Sequence, residues 1–270
     1  MTDHLSREAL IGKASDLKVI PTLNGIMEKV LQILGNNNSS FNELARVAQY
    51  DQAICSKIIS IANSAYYSRG VEVFELQRAM LTIGFEEVRG IITCLMFVEN
   101  ILKKLKLKEQ DLFALWKHSI KVAYGAKILS ERMLIGDSQK VYTISLLHDI
   151  GKIVFYLTSK EYGEIVETLK INGKDLAELE RETFGVDHQE LGYIIAIKWT
   201  FPDDFAQVIR HHHDIRSNNG SDALSRLVNG ANMFARSALD PRSPEGFILE
   251  KEKGNIDQEV EKIMEFLQLG

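Results

Sequence analysis

"NNNSSFNELARVAQYDQAICSKIISIAN", residues 36–63, reads as two helices meeting at a short turn. Ser40 offers an N-cap hydroxyl, and Glu43 three positions later completes a capping box. Asp51 opens the second helix, in which Ile54, Ile58 and Ile61 recur at steps of three and four, the period of one helical face. Upstream, "PTLNGIMEKVLQIL", residues 21–34, sets Leu23, Ile26, Met27, Val30, Leu31 and Leu34 on one side, with Pro21 suited to a first turn. Downstream, "ANSAYY", residues 62–67, ends the pair: Asn63 can adopt a left-handed conformation and Ser64 can bond locally to backbone. Gly84 then separates two further helical stretches, residues 76–83 and 85–102. No segment alternates as a strand would. The expected fold is all-α, a multi-helix bundle with helices of about 10–18 residues.

A chain of 270 residues holds one large domain or two ordinary ones. Its 45% hydrophobic and 26% charged content is that of a globular protein with a sizeable core. The net charge of −5 argues against a general nucleic-acid binder, which needs a basic face to displace counterions from phosphates. A small anionic ligand in a local pocket stays compatible with it. Cys55 and Cys94 lie in helical apolar settings and read as buried, inert thiols of a reducing cytoplasm. Residues 1–17 carry no apolar signal core, and "GIITCLMFV", residues 90–98, is too short to span a bilayer. The expectation is a soluble cytoplasmic protein without membrane contact.

At "KKLKLKEQD", residues 103–111, charge interrupts the apolar pattern, and the histidines divide there: only His4 precedes it, and the other six follow. This suggests an N-terminal helical lobe over residues 1–106 and a histidine-bearing helical lobe over 107–240. In the remainder, 241–270, "LDPRSPEGFILEKEKGN" (239–255) reads as an excursion loop because of its prolines and charges. A short last helix at 257–268 then puts Val260, Ile263, Met264 and Leu267 on one side to dock on the body.

Within the second lobe, "SLLHDIGKIVF", residues 145–155, puts His148 and Asp149 side by side in an apolar run. His118, His188, His212 and His213 are further candidate ligands. His211 is the one expected to face solvent, since three consecutive helical positions cannot all point inward. His188 has a second reading, as the opening residue of a helix capped by Asp187 with Glu190 as capping-box partner. Imidazole and carboxylate together suit a divalent ion such as iron, manganese, zinc or nickel, and a set this large could hold two. Paired ions can clamp a phosphoryl group and activate water, which is why phosphoesterases use such clusters.

"H…HDIGK…HH" resembles the HD-type metal-dependent phosphohydrolases, and "HDIGK" resembles the HD-GYP phosphodiesterases in particular. After "RHHHD", however, no GYP-like segment follows. The proline-led helix, the "ELA…D" helix pair, "ANSAYY", "HDIGK", the run His188, Leu191, Gly192, Trp199, Pro202, and "VIRHHHD" together resemble the HDOD domain over roughly residues 17–240. That resemblance implies an HD-domain-like helical bundle and a regulatory module of bacterial signal transduction whose hydrolase activity is generally thought lost. It implies that His118 matches the leading histidine, His148 and Asp149 the HD pair, Lys152 a phosphate-facing lysine, and His212 and His213 the later pair. His188 would be an additional histidine. Asn232, a further candidate ligand but a weak and neutral one, stands where the hydrolases place a last aspartate, so an anionic ligand and a general base are missing there.

The expected function is therefore a non-catalytic HDOD-type signalling module. It would bind a partner protein and could hold a metal, a nucleotide or another phosphate ligand in the degenerate site. The alternative is an active metal-dependent phosphohydrolase with a non-standard ligand set, in which Asp149 and Lys152 would be catalytic.

Overall fold

The computed structural model describes residues 6–17, 40–65, 67–68, 70–85, 109–159, 175–199, 201–213 and 222–266, with scattered positions between them. Helix α1 (Arg7–Asp16) is followed by α2 (Phe41–Ala48), α3 (Gln52–Ala62) and α4 (Leu76–Ile83). The capping box forms: Glu43 N donates to Ser40 Oγ at 3.2 Å, and Ser40 N to the Glu43 carboxylate at 3.0 Å. Asp51 caps α3 by accepting from Ile54 N at 2.7 Å. Ile54 and Ile58 are fully buried, as are Ile26 and Val30 upstream. Leu23, Met27, Leu31 and Leu34 lie outside the described residues, as do Pro21 and Cys94.

Asn63 ends α3, but not through a left-handed backbone, since its φ is −89°. Its amide is the reason for the stop. Nδ2 donates to Ile59 O at 2.9 Å and to Val73 O at 2.7 Å, while Oδ1 accepts from Val73 N at 2.9 Å. The loop after α3 is thereby pinned to the helix end. Gly84, at φ 100°, closes α4 in a conformation that side chains rarely adopt.

The second half is built on α5 (Glu109–Met133), at 25 residues longer than the expected range. Then come α6 (Ser138–Leu147), α7 (Lys152–Thr158), α8 (Leu176–Phe184), α9 (His188–Lys198), α10 (Asp203–His211), α11 (Asp222–Ala235) and α12 (Pro244–Phe266). Among the described residues there is no strand. Helices α6, α11 and α12 pack along α5, while α9 packs on α10, α7 and α1. The buried apolar residues form one continuous core from Leu10 to Val260.

The excursion loop expected at 239–255 is for the most part helix. Ser243 Oγ accepts from Gly246 N at 3.0 Å, and Pro244 occupies the first turn, where its missing N–H has no helical partner. Gly246 is needed because a Cβ there would lie 2.1 Å from Asp240 O. The proline that reads as a breaker is a helix start. The short last helix is accordingly the end of a 23-residue one, with Leu249, Ile256 and Val260 buried. Lys121–Asp257 and Arg132–Glu252 pairs, each at 2.6 Å, tie it to α5.

Buried polar contacts join α3 and its cap to the second half. Gln52 Nε2 donates to Ser119 Oγ at 2.8 Å and to Leu146 O at 2.5 Å; Trp116 Nε1 donates to Asp51 Oδ2 at 3.3 Å. The loop pinned by Asn63 adds an apolar one. Phe74 stacks on Phe205, ring centroids 6.0 Å apart, beneath Lys140 Nζ at 3.9 Å.

Candidate metal centre

Asp149 is the hub. Residues 148–151 form the turn between α6 and α7, and Asp149 is fully buried there. The glycine of "HDIGK" lets this turn meet the start of α9: a Cβ on Gly151 would lie 1.9 Å from His188 O. Gly192, one turn along α9, is equally constrained, with a Cβ falling 2.7 Å from Ile209 Cγ2. Side chains at either position would push His188 away from Asp149.

Four imidazoles then face the two carboxylate oxygens. His118 Nε2, from α5, and His148 Nε2 lie 3.5 and 3.3 Å from Oδ2. His188 Nε2, from the first turn of α9, and His212 Nε2, after α10, lie 3.4 and 3.5 Å from Oδ1. His213 joins the second pair, its Nε2 3.1 Å from that of His188. The cluster thus contains two overlapping donor groups with Asp149 in both: His118, His148 and Asp149, and Asp149, His188, His212 and His213. His211 stands outside both groups and is half-buried.

The backs of the rings fix which nitrogen is free. His148 Nδ1 lies 2.6 Å from Ser145 O, and His212 Nδ1 2.8 Å from Ile209 O. A carbonyl only accepts, so Nδ1 carries the proton and Nε2 presents its lone pair. His188 Nδ1 is held instead by Glu180 Oε2 at 2.5 Å, which also accepts from His188 N at 2.8 Å. Tyr162 donates to the other Glu180 oxygen. Glu180 is fully buried, and no sequence pattern marks it, since its helix reads as an ordinary charged surface helix.

Asp187 does cap α9, accepting from Glu190 N at 2.8 Å, but the Glu190 side chain pairs with Arg7 at 2.5 Å rather than closing a box. His188 is both helix opener and cluster member.

Nε2 of His118, His148 and His212, and Asp149 Oδ1, are buried without a hydrogen-bond partner. Lone pairs facing a buried carboxylate repel one another unless a positive charge lies among them. The donor set therefore fits a divalent cation, with imidazole and carboxylate suiting first-row transition ions. Burial holds His212 neutral, lowering its pKa to about 4, and lowers that of His118 to about 3 against the pull of Asp149. Burial likewise depresses His213. For Asp149, burial acts upward, but the positive charge beside it, that of Lys152 included, holds the carboxyl well below its usual range. Neutral imidazoles around an ionised carboxylate are the protonation states that ligation needs.

Lys152 Nζ sits 2.5 Å from Asp149 Oδ2. Asn232 is buried on α11, and its Oδ1 has no hydrogen-bond partner. One turn earlier, Asn229 Nδ2 donates to His212 O at 2.6 Å, so this face of α11 backs the cluster. Cys55 is buried, donates to Ala48 O at 3.3 Å, and has its pKa raised by burial. No helix among the described residues is long and apolar enough to cross a membrane.

The HDOD domain family model matches residues 20–215. An uncharacterised protein of Treponema pallidum is 23% identical over 233 residues, which is 83% of this chain; the chain spans only 44% of that relative's length. Among solved structures, the MmoQ response regulator of Methylococcus capsulatus superposes with a TM-score of 0.69 at 20% identity, over 88% of this chain and 98% of that one. An HDOD domain protein of unknown function from Geobacter sulfurreducens gives 0.54 at 22% identity, over 96% and 98%. Both likenesses are of fold.

Proposed function

This chain belongs to the HDOD domain family, and from that membership we propose that it is a non-catalytic signal-transduction module whose degenerate HD site binds a divalent ion while its surface engages a partner protein. One observation carries the reading: the cluster keeps its histidines and Asp149, while α11, whose Asn229 bonds His212 O, carries the buried neutral amide of Asn232 where the hydrolase resemblance expects an acid. An amide supplies neither anionic charge nor a proton acceptor, so residues that can hold an ion lack the acid that would help to activate water beside it. The response-regulator description of the Methylococcus capsulatus relative is in keeping with a signalling role.

Phosphodiester and phosphomonoester substrates, incubated with the protein and Mn2+ or Fe2+, are expected to survive. Turnover above background that disappears in Asp149→Ala would overturn the assignment. The rival reading, a working phosphohydrolase, draws on the same unpartnered Nε2 atoms, because an ion held there would polarise a bound phosphate.

A further inference from the structure

The two donor groups are not equivalent, and the difference lies in Lys152. Its ammonium rests on Asp149 Oδ2, the oxygen that His118 and His148 also face. Oδ1, the oxygen faced by His188 and His212, has no hydrogen-bond partner. An ion entering the His118–His148 group meets a carboxylate oxygen already neutralised, and a resident cation beside it. An ion entering the other group meets a free anionic oxygen and three imidazoles.

His148 and His212 are each braced by a carbonyl, but the second group also has a carboxylate brace. His188 is oriented by the buried Glu180 carboxylate, which accepts from both its Nδ1 and its backbone N–H, and His212 by the carbonyl of Ile209. A carboxylate behind a ligating imidazole fixes its orientation and raises its basicity. His118, by contrast, keeps a side chain one-fifth exposed.

Resting on the metal reading above, we propose that this chain binds a single divalent ion, through Asp149 Oδ1, His188, His212 and His213, and that the Lys152 ammonium takes the place of a second ion beside His118 and His148. Lys152 is then a built-in counter-charge, and the site is mononuclear by construction. Glu180 is its positioning residue, acting through His188.

The test is a metal titration of the full chain, purified without a histidine tag, stripped with chelator and loaded with Mn2+. Stoichiometry is read by calorimetry and by elemental analysis after desalting, and low-temperature electron paramagnetic resonance separates an isolated ion from a coupled pair. Wild type is expected to hold one isolated ion. Glu180→Gln should weaken it by about 10–100-fold and His188→Gln, which removes a ligand, by more, whereas His118→Gln should leave it in place. Lys152→Met should admit a second ion and produce the coupled signal; Lys152→Arg, which keeps the charge, should not.

Two ions in the wild type, or one ion lost with His118→Gln and kept with His188→Gln, would overturn the proposal. So would a Lys152→Met protein that still holds one. No binding by any variant would remove the metal reading itself, and this proposal with it.

Discussion

At the scale of single residues, the glycines of "HDIGK" and α9 show how a motif letter can have a packing cause. Gly151→Ala would set a Cβ against the backbone oxygen of His188, which cannot rotate aside. The expected cost is about 3 kcal/mol or more, at the large end for a point substitution, with a matching loss of metal affinity as α9 is displaced. Gly12→Ala, in α1, has nothing within 4 Å of its Cβ and should raise stability by about 0.5–1 kcal/mol. Denaturant melts of the pair make the comparison, and equal effects would contradict this account of Gly151.

The buried imidazoles give a pH dependence whose sign is fixed. His212 and His118 have folded pKa values of about 4 and about 3, below the ordinary 6.5, so the unfolded chain takes up their protons first. Their contribution is complete above pH 6.5 and is lost as pH falls from there towards 4 and 3. Asp149, also depressed, gives up its share only below its ordinary 3.8. Metal-free protein is expected to lose about 1.4 kcal/mol per pH unit for each such histidine across that window. Thermal melts in chelator from pH 7 to 4 would show it; a flat profile would mean the rings are not held neutral.

Among the elements, α12 and the loop after α3 are the informative ones. Ser243→Ala removes the hydroxyl that caps α12 and should cost about 1 kcal/mol. Asn63→Ala removes three hydrogen bonds, two of which join the end of α3 to Val73, and should cost about 1–3 kcal/mol. Because Val73 precedes Phe74, the second substitution should also raise hydrogen exchange at α10, whose Phe205 stacks on Phe74. An effect confined to residues 63–75 would show that the loop does not transmit to the second half.

For the whole molecule, the continuous core and the Gln52 link to Ser119 and Leu146 make independent unfolding of the two halves costly. Calorimetry of the metal-free chain is expected to give one cooperative transition. Gln52→Ala should lower its midpoint, by about 2–4 °C for each kcal/mol lost in a chain of this size. Two resolved transitions in the wild type would disprove the coupling. The charge break at 103–108 lies outside the described residues, so the core and these links, not that segment, are the ground for this expectation.

The sequence by itself determined what is local. Helical class, the caps at Ser40, Asp51 and Asp187, and the burial of Ile54 and Ile58 follow from periodicity and from side chains that bond within four residues. Even the candidate ligands were legible, because histidine and aspartate in apolar runs need a partner. Only the tertiary structure decided which oxygen of Asp149 each imidazole faces, that Glu180 stands behind His188, that Lys152 rests on one side of the carboxylate, and that a proline-rich tail becomes a helix along α5. Those outcomes depend on the crossing of α7 and α9 at two glycines and on the docking of distant helices. Such contacts join residues tens of positions apart, and the spacing of letters along a chain does not encode them.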